Sequence, residues 1–186
     1  MKEVTIKLYA FEELSKKVQE KLIEENRNHE AEHEDWYEPI IEGFEEELRE
    51  AGFSNEITTG FSGFWSQGDG ACFHADVIDN QKLIDTLIEG CYLDKGTDIS
   101  NSNVDISVIK ITNRYEHANT ITANVDGISD FDLDLIEHAV TKWARDRSNN
   151  LYQNLEQYHE EITSTDYVTD YLVEQGEVFM ENGKML

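Results

Sequence analysis

The sequence predicts an α+β fold: an antiparallel sheet of about five strands covered by helices, in the order β-α-α-β-β-α-β-β-α-α. Three observations predict it. Two pairs of period-two segments are each joined by a polar connection; apolar residues at helical spacing are grouped between and after those pairs; and an opening period-two segment precedes them all. Strand pairs with helices grouped between them argue for an antiparallel sheet rather than a parallel one. A chain of 186 residues with one Pro and 39 % hydrophobic residues has the length and mix of a single domain. We therefore expect one domain over 1–186, with a core over 1–127 and acidic C-terminal helices over 128–186 packed on it.

Val4, Ile6 and Leu8 alternate with Thr5, Lys7 and Tyr9, the pattern of a strand with one buried face. From Glu12 the period changes, and Leu14, Val18, Leu22 and Ile23 mark an amphipathic helix expected to run to about Glu34. A second helix follows, with Ile40, Ile41, Phe44 and Leu48 inward, Pro39 in its first turn and Gly52 past its end. Ile57 to Phe64 and Ala71 to Ile78 read as two strands around a turn at Ser66-Gln67-Gly68-Asp69-Gly70. Asn80 to Glu89 is a short helix. Val104, Ile106 and Val108, then Ile121, Ala123 and Val125, read as a second hairpin turning at Asn113 to Glu116. Ser129 with Asp132 fits a capping box for a long helix through Trp143 and Leu155. A Thr163 or Ser164 cap begins the last helix, expected to carry Val168, Leu172 and Phe179 on one face and to end before Gly183.

Forty acidic residues against 15 basic ones give a net charge of −25, a field that repels phosphate backbones and disfavours a conventional DNA-binding module. The charge is uneven. Residues 1–50 hold 16 acids and 7 bases, and residues 151–186 hold 8 acids and one base, whereas residues 101–150 hold 8 acids and 5 bases. Such acidic runs suit either a solvated face or a docking face for a basic partner. Cys72 and Cys91 offer no disulfide framework, the opening MKEVTIKLYAF carries no basic-then-apolar leader, and no run nears the roughly 18 to 20 apolar residues of a membrane span. These features predict a cytoplasmic protein, with Cys72 a small buried apolar residue.

His29-Glu30-Ala31-Glu32-His33 matches H-E-x-x-H, which on a helix would set two imidazoles on one face beside a carboxylate. Its flanks, Arg27, Asn28, Glu34 and Asp35, are all polar, while a zinc site needs a water-excluding wall and a third ligand. Recurrence in a Glu-rich segment is the better reading, and we expect neither a metal nor a cofactor.

The segment Phe61-Ser62-Gly63-Phe64-Trp65-Ser66-Gln67-Gly68-Asp69-Gly70-Ala71 is more unusual. Its glycines let backbone N–H groups and short polar side chains converge in a nest suited to an anion or polar ligand. The same residues suit a tight hairpin in which Phe61, Phe64 and Phe73 are core and Asp69 and Ser66 satisfy turn amides. The segment lacks G-x-G-x-x-G and G-K-[ST], so it is neither a Rossmann loop nor a P-loop. If the tips of both hairpins lie at one end of the sheet, Ser66, Gln67 and Asp69 could meet Arg114, Tyr115 and His117. Such a cluster could cleave RNA without metal: His117 as general acid or base, Arg114 holding the phosphate, Asp69 orienting the imidazole, Trp65 or Tyr115 stacking on a base. The plainer alternative pairs Arg114 with Glu116 across exposed strands and leaves His117 a turn residue.

FSGFWSQGDGA, with the opening strand, Phe11-Glu12-Glu13-Leu14-Ser15 and Arg114-Tyr115-Glu116-His117, resembles a family of small acidic proteins of bacteriophages and other mobile elements. Some of these carry antitoxin labels and some resemble inhibitors of Cas9-type CRISPR nucleases. The resemblance covers about the first two thirds of the chain and implies an anti-CRISPR protein directed at a Cas9-type nuclease and its guide RNA. It would act on the guide or its loading, by cleavage or by binding. The alternatives are an acidic mimic of nucleic acid that occupies a basic channel, or an antitoxin-like partner of a basic toxin.

Overall fold

The computed structural model describes residues 6–33, 35–97, 103–112, 114–128 and 132–185. Among them are five helices and six strands, the strands forming two antiparallel sheets, so the fold is α+β. The chain divides into two compact units, one of residues 37–156 and one made of 1–36 with 157–186.

In the larger unit, α1 having preceded it at Lys16–Asn26, the chain runs through α2 (Glu38–Glu50), β2 (Thr58–Phe61), β3 (Ala71–Asp76), α3 (Asn80–Glu89), β4 (Asn103–Lys110) and β5 (Ile121–Ile128), then into α4 (Leu133–Ile162), which belongs to this unit as far as Glu156. Pro39 sits in the first turn of α2, and Gly52, at φ 101°, supplies the left-handed residue after its end. Asp79 caps α3, its carboxylate accepting the Lys82 N–H at 3.1 Å. Ser129 to Phe131, the start of the expected capping box, lie outside the described residues.

The sheet order is β2-β3-β4-β5. Register pairs Gly60 with Cys72, Ala75 with Val108 and Ile106 with Val125, so Val104, Ile106, Val108, Ala123 and Val125 are buried together, as their alternation predicts. Phe73 anchors this core, its ring centroid 5.6 Å from those of Phe44 on α2 and Phe53, while Phe53 stacks on Trp143 of α4 at 5.8 Å. One consequence of antiparallel pairing matters most. β3 begins where β4 ends, so the 62–70 and 111–120 connections emerge at the same end of the sheet.

The smaller unit holds β1 (Tyr9–Ala10), a 3-10 turn at Phe11–Glu13, α1, α5 (Thr165–Glu174) and β6 (Val178–Phe179). Its core is Phe11, Leu14, Leu22, Ile23, Val168, Leu172 and Phe179. Ser164 caps α5, its hydroxyl accepting the Tyr167 N–H at 3.2 Å. Three sequence expectations change here. The opening strand is only two residues long and pairs with β6 in a separate two-stranded sheet, leaving Ile6 and Leu8 exposed. α1 stops at Asn26, whose amide donates to Leu22 O at 2.8 Å, and turns follow to His33. α5 stops at Glu174 because Gly176 takes φ 62°, which frees Phe179 to join β6.

Candidate functional site

Asn113, where the second turn is expected to begin, lies outside the described residues; residues 115–117 beyond it pack closely on the 62–70 connection. A Cβ added to Gly68 would lie 2.3 Å from the Tyr115 ring, and one added to Gly70 would lie 2.5 Å from His117 Cβ and 2.8 Å from its Cα. The two tips are therefore in contact only because those positions are glycine. Ser62 closes the first connection, accepting the Gly70 N–H at its hydroxyl (3.2 Å) and donating its own N–H to Gly70 O (3.2 Å).

Beneath the tips lies a partly buried polar network. Glu116 accepts a hydrogen bond from the Lys110 ammonium and another from the Cys72 thiol at 3.2 Å, its carboxylate lying against Gly60. Burial raises the Glu116 carboxyl, but the Lys110 and Cys72 hydrogen bonds and the Lys110 and His74 charges outweigh it and hold the group below its ordinary value. Burial first, then the hydrogen bond to Glu116, push the Cys72 thiol up to about 11, so it stays a thiol and a donor. The Arg114–Glu116 pair of the plainer alternative is thus replaced by Lys110–Glu116, with Lys110 supplied by the last residue of β4.

Above that network the side chains expected at the tips come together as far as the loop geometry allows. Arg114 lies over the Tyr115 ring at 5.1 Å, and Tyr115 stacks on His117 with centroids 5.8 Å apart and planes 19° apart. Trp65 is 75 % exposed and holds φ 67°, a left-handed backbone that non-glycine residues adopt at a cost. Its ring lies 5.3 Å from Phe64, which in turn lies 5.1 Å from Phe61 and 5.5 Å from Tyr152. Ser66 and Gln67 are exposed at the outermost point of the first tip.

One assigned role changes. Asp69 does not orient His117: its carboxylate accepts the Ser66 N–H at 2.7 Å and its own N–H donates to Ser66 O at 3.1 Å, closing a tight turn. His117 Nδ1 instead accepts the Asn119 N–H at 3.2 Å, capping a 3-10 turn at Ala118–Thr120. With Nδ1 an acceptor, the neutral ring carries its proton on Nε2, which makes that nitrogen a donor.

Asp69 and His117 nonetheless line one open recess of about 620 Å³, together with Gly68, Asn119, Asn149 and Tyr152. Burial, then the charges of Glu156 and Asp69, raise the Tyr152 phenol, so it too remains a donor. A second recess of about 590 Å³ shares Asn119 and Asn149 with the first and adds His138, Thr141, Lys142, Arg145 and Asp146. The α4 contribution was missed from sequence, although His138, Lys142, Arg145, Asn149 and Tyr152 recur at alternating spacings of four and three, a single helical stripe.

The H-E-x-x-H segment lies on turns rather than a helix. His29 and His33 meet edge-on at 5.4 Å and His29 packs on Tyr171 at 5.0 Å. Among the described residues, no three His, Cys, Asp or Glu side chains are grouped to hold a metal, and no helix is long and apolar enough to cross a membrane.

No curated protein and no solved structure matches the chain. A family model does match, over residues 36–165, a span that includes both hairpins, the joined tips and both recesses. The chain therefore belongs to the family described as a domain of unknown function, DUF8835.

Proposed function

We propose that this chain is a mobile-element inhibitor of a Cas9-type nuclease that acts in the host cytoplasm on the guide RNA or its loading, with the joined hairpin tips as its RNA-facing part. The observation that supports the reading is the Arg114, Tyr115 and His117 stack on one loop packed against Gly68 and Gly70 of the other, the two loops whose sequence bears the anti-CRISPR resemblance. The exposed Trp65 ring can stack on an unpaired base, and Arg114 suits phosphate oxygens. The acidic remainder of the chain does not forbid this, since the nuclease holds its guide in its own basic channel.

Binding is favoured over cleavage. Cutting an RNA strand without metal takes one group to remove the 2′-hydroxyl proton and another to protonate the leaving oxygen. Here His117 offers a donor, while the carboxylate that shares its recess, Asp69, is committed to its turn. The test is to incubate the protein with a Cas9-type nuclease and its guide at several ratios, added before and after guide loading, and to follow DNA cleavage and guide length together. Cleavage lost near one equivalent, only when the protein precedes the guide and with the guide intact, is the expected result. Discrete shortening of the guide at substoichiometric protein would replace binding with catalysis. Equal inhibition of a preloaded nuclease would favour nucleic-acid mimicry, and no inhibition at all would sink the reading and favour an antitoxin-like partner.

A further inference from the structure

In a chain of net charge −25, two cations of one helix that line the same recess set that recess apart. Arg49, Lys110 and Arg147 are each engaged by a glutamate. Lys142 and Arg145, neighbours on α4, form no ion pair among the described residues, and both line the second recess. Lys142 sits over the Tyr92 ring at 5.6 Å and is exposed. Arg145 is fixed in direction, donating from Nε and one terminal nitrogen to Ile121 O at 3.1 and 3.0 Å, which leaves its other terminal nitrogen uncommitted. The single carboxylate lining that recess, Asp146, already accepts the Tyr92 hydroxyl at 2.9 Å. Asp146 keeps its charge while accepting that bond, so two cations against one carboxylate leave the lining of the recess with one net positive charge.

The first recess has different chemistry. It offers the donors Tyr152, His117 and Asn149, and its carboxylate, Asp69, is satisfied by its own turn. An amide at the boundary can donate and accept, as the edge of a nucleobase requires. Because Asn119 and Asn149 line both recesses, the aromatic-and-amide half and the cationic half are adjoining parts of one groove.

We propose that this groove binds one nucleoside monophosphate unit, its base beside His117, Asn149 and Tyr152 and its phosphate on Lys142 and Arg145. The inference deepens the RNA-directed reading above and rests on it for the identity of the strand. The unit can be a free nucleotide or one residue of a single strand, and the two are separable by experiment.

The test measures fluorescence anisotropy of a short labelled single-stranded RNA against the full chain, without nuclease, over a range of salt concentrations. Lys142→Glu is expected to weaken binding about tenfold at low salt and to lower the salt slope by about one, the mark of one lost phosphate contact. Lys82→Glu makes the same charge change at an exposed residue that lines neither recess, and is expected to leave affinity within about twofold. Because Lys142 is exposed, a matching thermal melt for both variants excludes a folding effect. Competition by uridine monophosphate in the parent, absent in Lys142→Glu, assigns a free nucleotide; strand binding that the monophosphate does not displace assigns a unit within a chain. Equal weakening by both variants, or none by Lys142→Glu, overturns the site. Unweakened RNA binding by Lys142→Glu with inhibition of the nuclease intact would sink this site and leave the inhibitor reading standing, whereas Lys142-dependent RNA binding without any inhibition would do the reverse.

Discussion

Replacing Gly70 with alanine is expected to cost about 3 kcal/mol or more and to part the two hairpin tips. Gly70 is buried, and its added Cβ would sit 2.5 Å from His117 Cβ, 2.8 Å from His117 Cα and 2.9 Å from Glu116 O. Two of those three atoms are backbone, so no rotamer change relieves the overlap. The loops must separate, which strips His117 from the recess floor and loosens the pair of Ser62–Gly70 hydrogen bonds. A loss of that size lowers the melting temperature by about 6–12 °C in a domain of this length. Gly63→Ala is the internal control. Gly63, unlike Gly70, carries a positive φ, 95°, but nothing lies within 4 Å of its Cβ, so only the left-handed backbone cost of about 1 kcal/mol is expected. Thermal unfolding followed by circular dichroism, run on both variants, checks the ranking. A Gly70→Ala protein as stable as Gly63→Ala would mean that the tips are not packed as described.

The second large effect is expected at Glu116. Removing its carboxylate in Glu116→Ala leaves the Lys110 ammonium, only 13 % exposed, without its partner and leaves the Cys72 thiol without its acceptor. An uncompensated, largely buried cation makes this cost about 2–3 kcal/mol at neutral pH. The same site sets a pH dependence whose sign follows from the depressed carboxyl. Glu116 prefers to be ionised in the folded chain, so its contribution is fully present above its ordinary value of 4.5 and is lost as pH falls below that through its lower folded value. Glu116→Gln keeps the shape but cannot titrate. Its urea-unfolding stability is expected to lie below that of the parent at neutral pH and to converge with it in acid. Two stability curves that run parallel from pH 7 into that acid range would show that Glu116 carries no such linkage.

Much of the fold is legible in the sequence where local pattern decides it. α3 occupies Asn80–Glu89 as expected, with Leu83 and Leu87 buried as their spacing predicts, while Ile84 rather than Ile88 is the third buried residue. β4 and β5 follow from strict alternation of buried and open positions. The failures lie where distant segments decide. The pairing of Tyr9–Ala10 with Val178–Phe179 joins the two ends of the chain, and no local period encodes it. The overlong last helix is a different kind of failure, since Gly176 was present as a stop signal and an apolar stripe through Phe179 was weighted above it.

The candidate site divides in the same way. Residue types at the two tips could be read directly, whereas their meeting depended on β3 pairing antiparallel with β4, a contact fixed by core packing rather than by either hairpin. Asp69 forms the turn that one alternative expects and not the His117 contact of the other, because the Asn119 N–H that takes Nδ1 belongs to a 3-10 turn invisible in composition. Lys142 and Arg145 were hidden for the opposite reason: their spacing was plain, but a helix face becomes part of a site only when the fold sets it beside the tips.

The joined tips are the foundation of both the fold-level and the functional account, and a nuclear Overhauser measurement between Gly68 and Tyr115 tests them most directly. A Cβ built on Gly68 would lie 2.3 and 2.6 Å from two carbons of the Tyr115 ring, so the hydrogen in that position points at the ring. A strong cross-peak between a Gly68 Hα and the Tyr115 ring protons is the expected result. A Tyr115 ring that shows cross-peaks only to its own loop, and none to Gly68, would contradict the account.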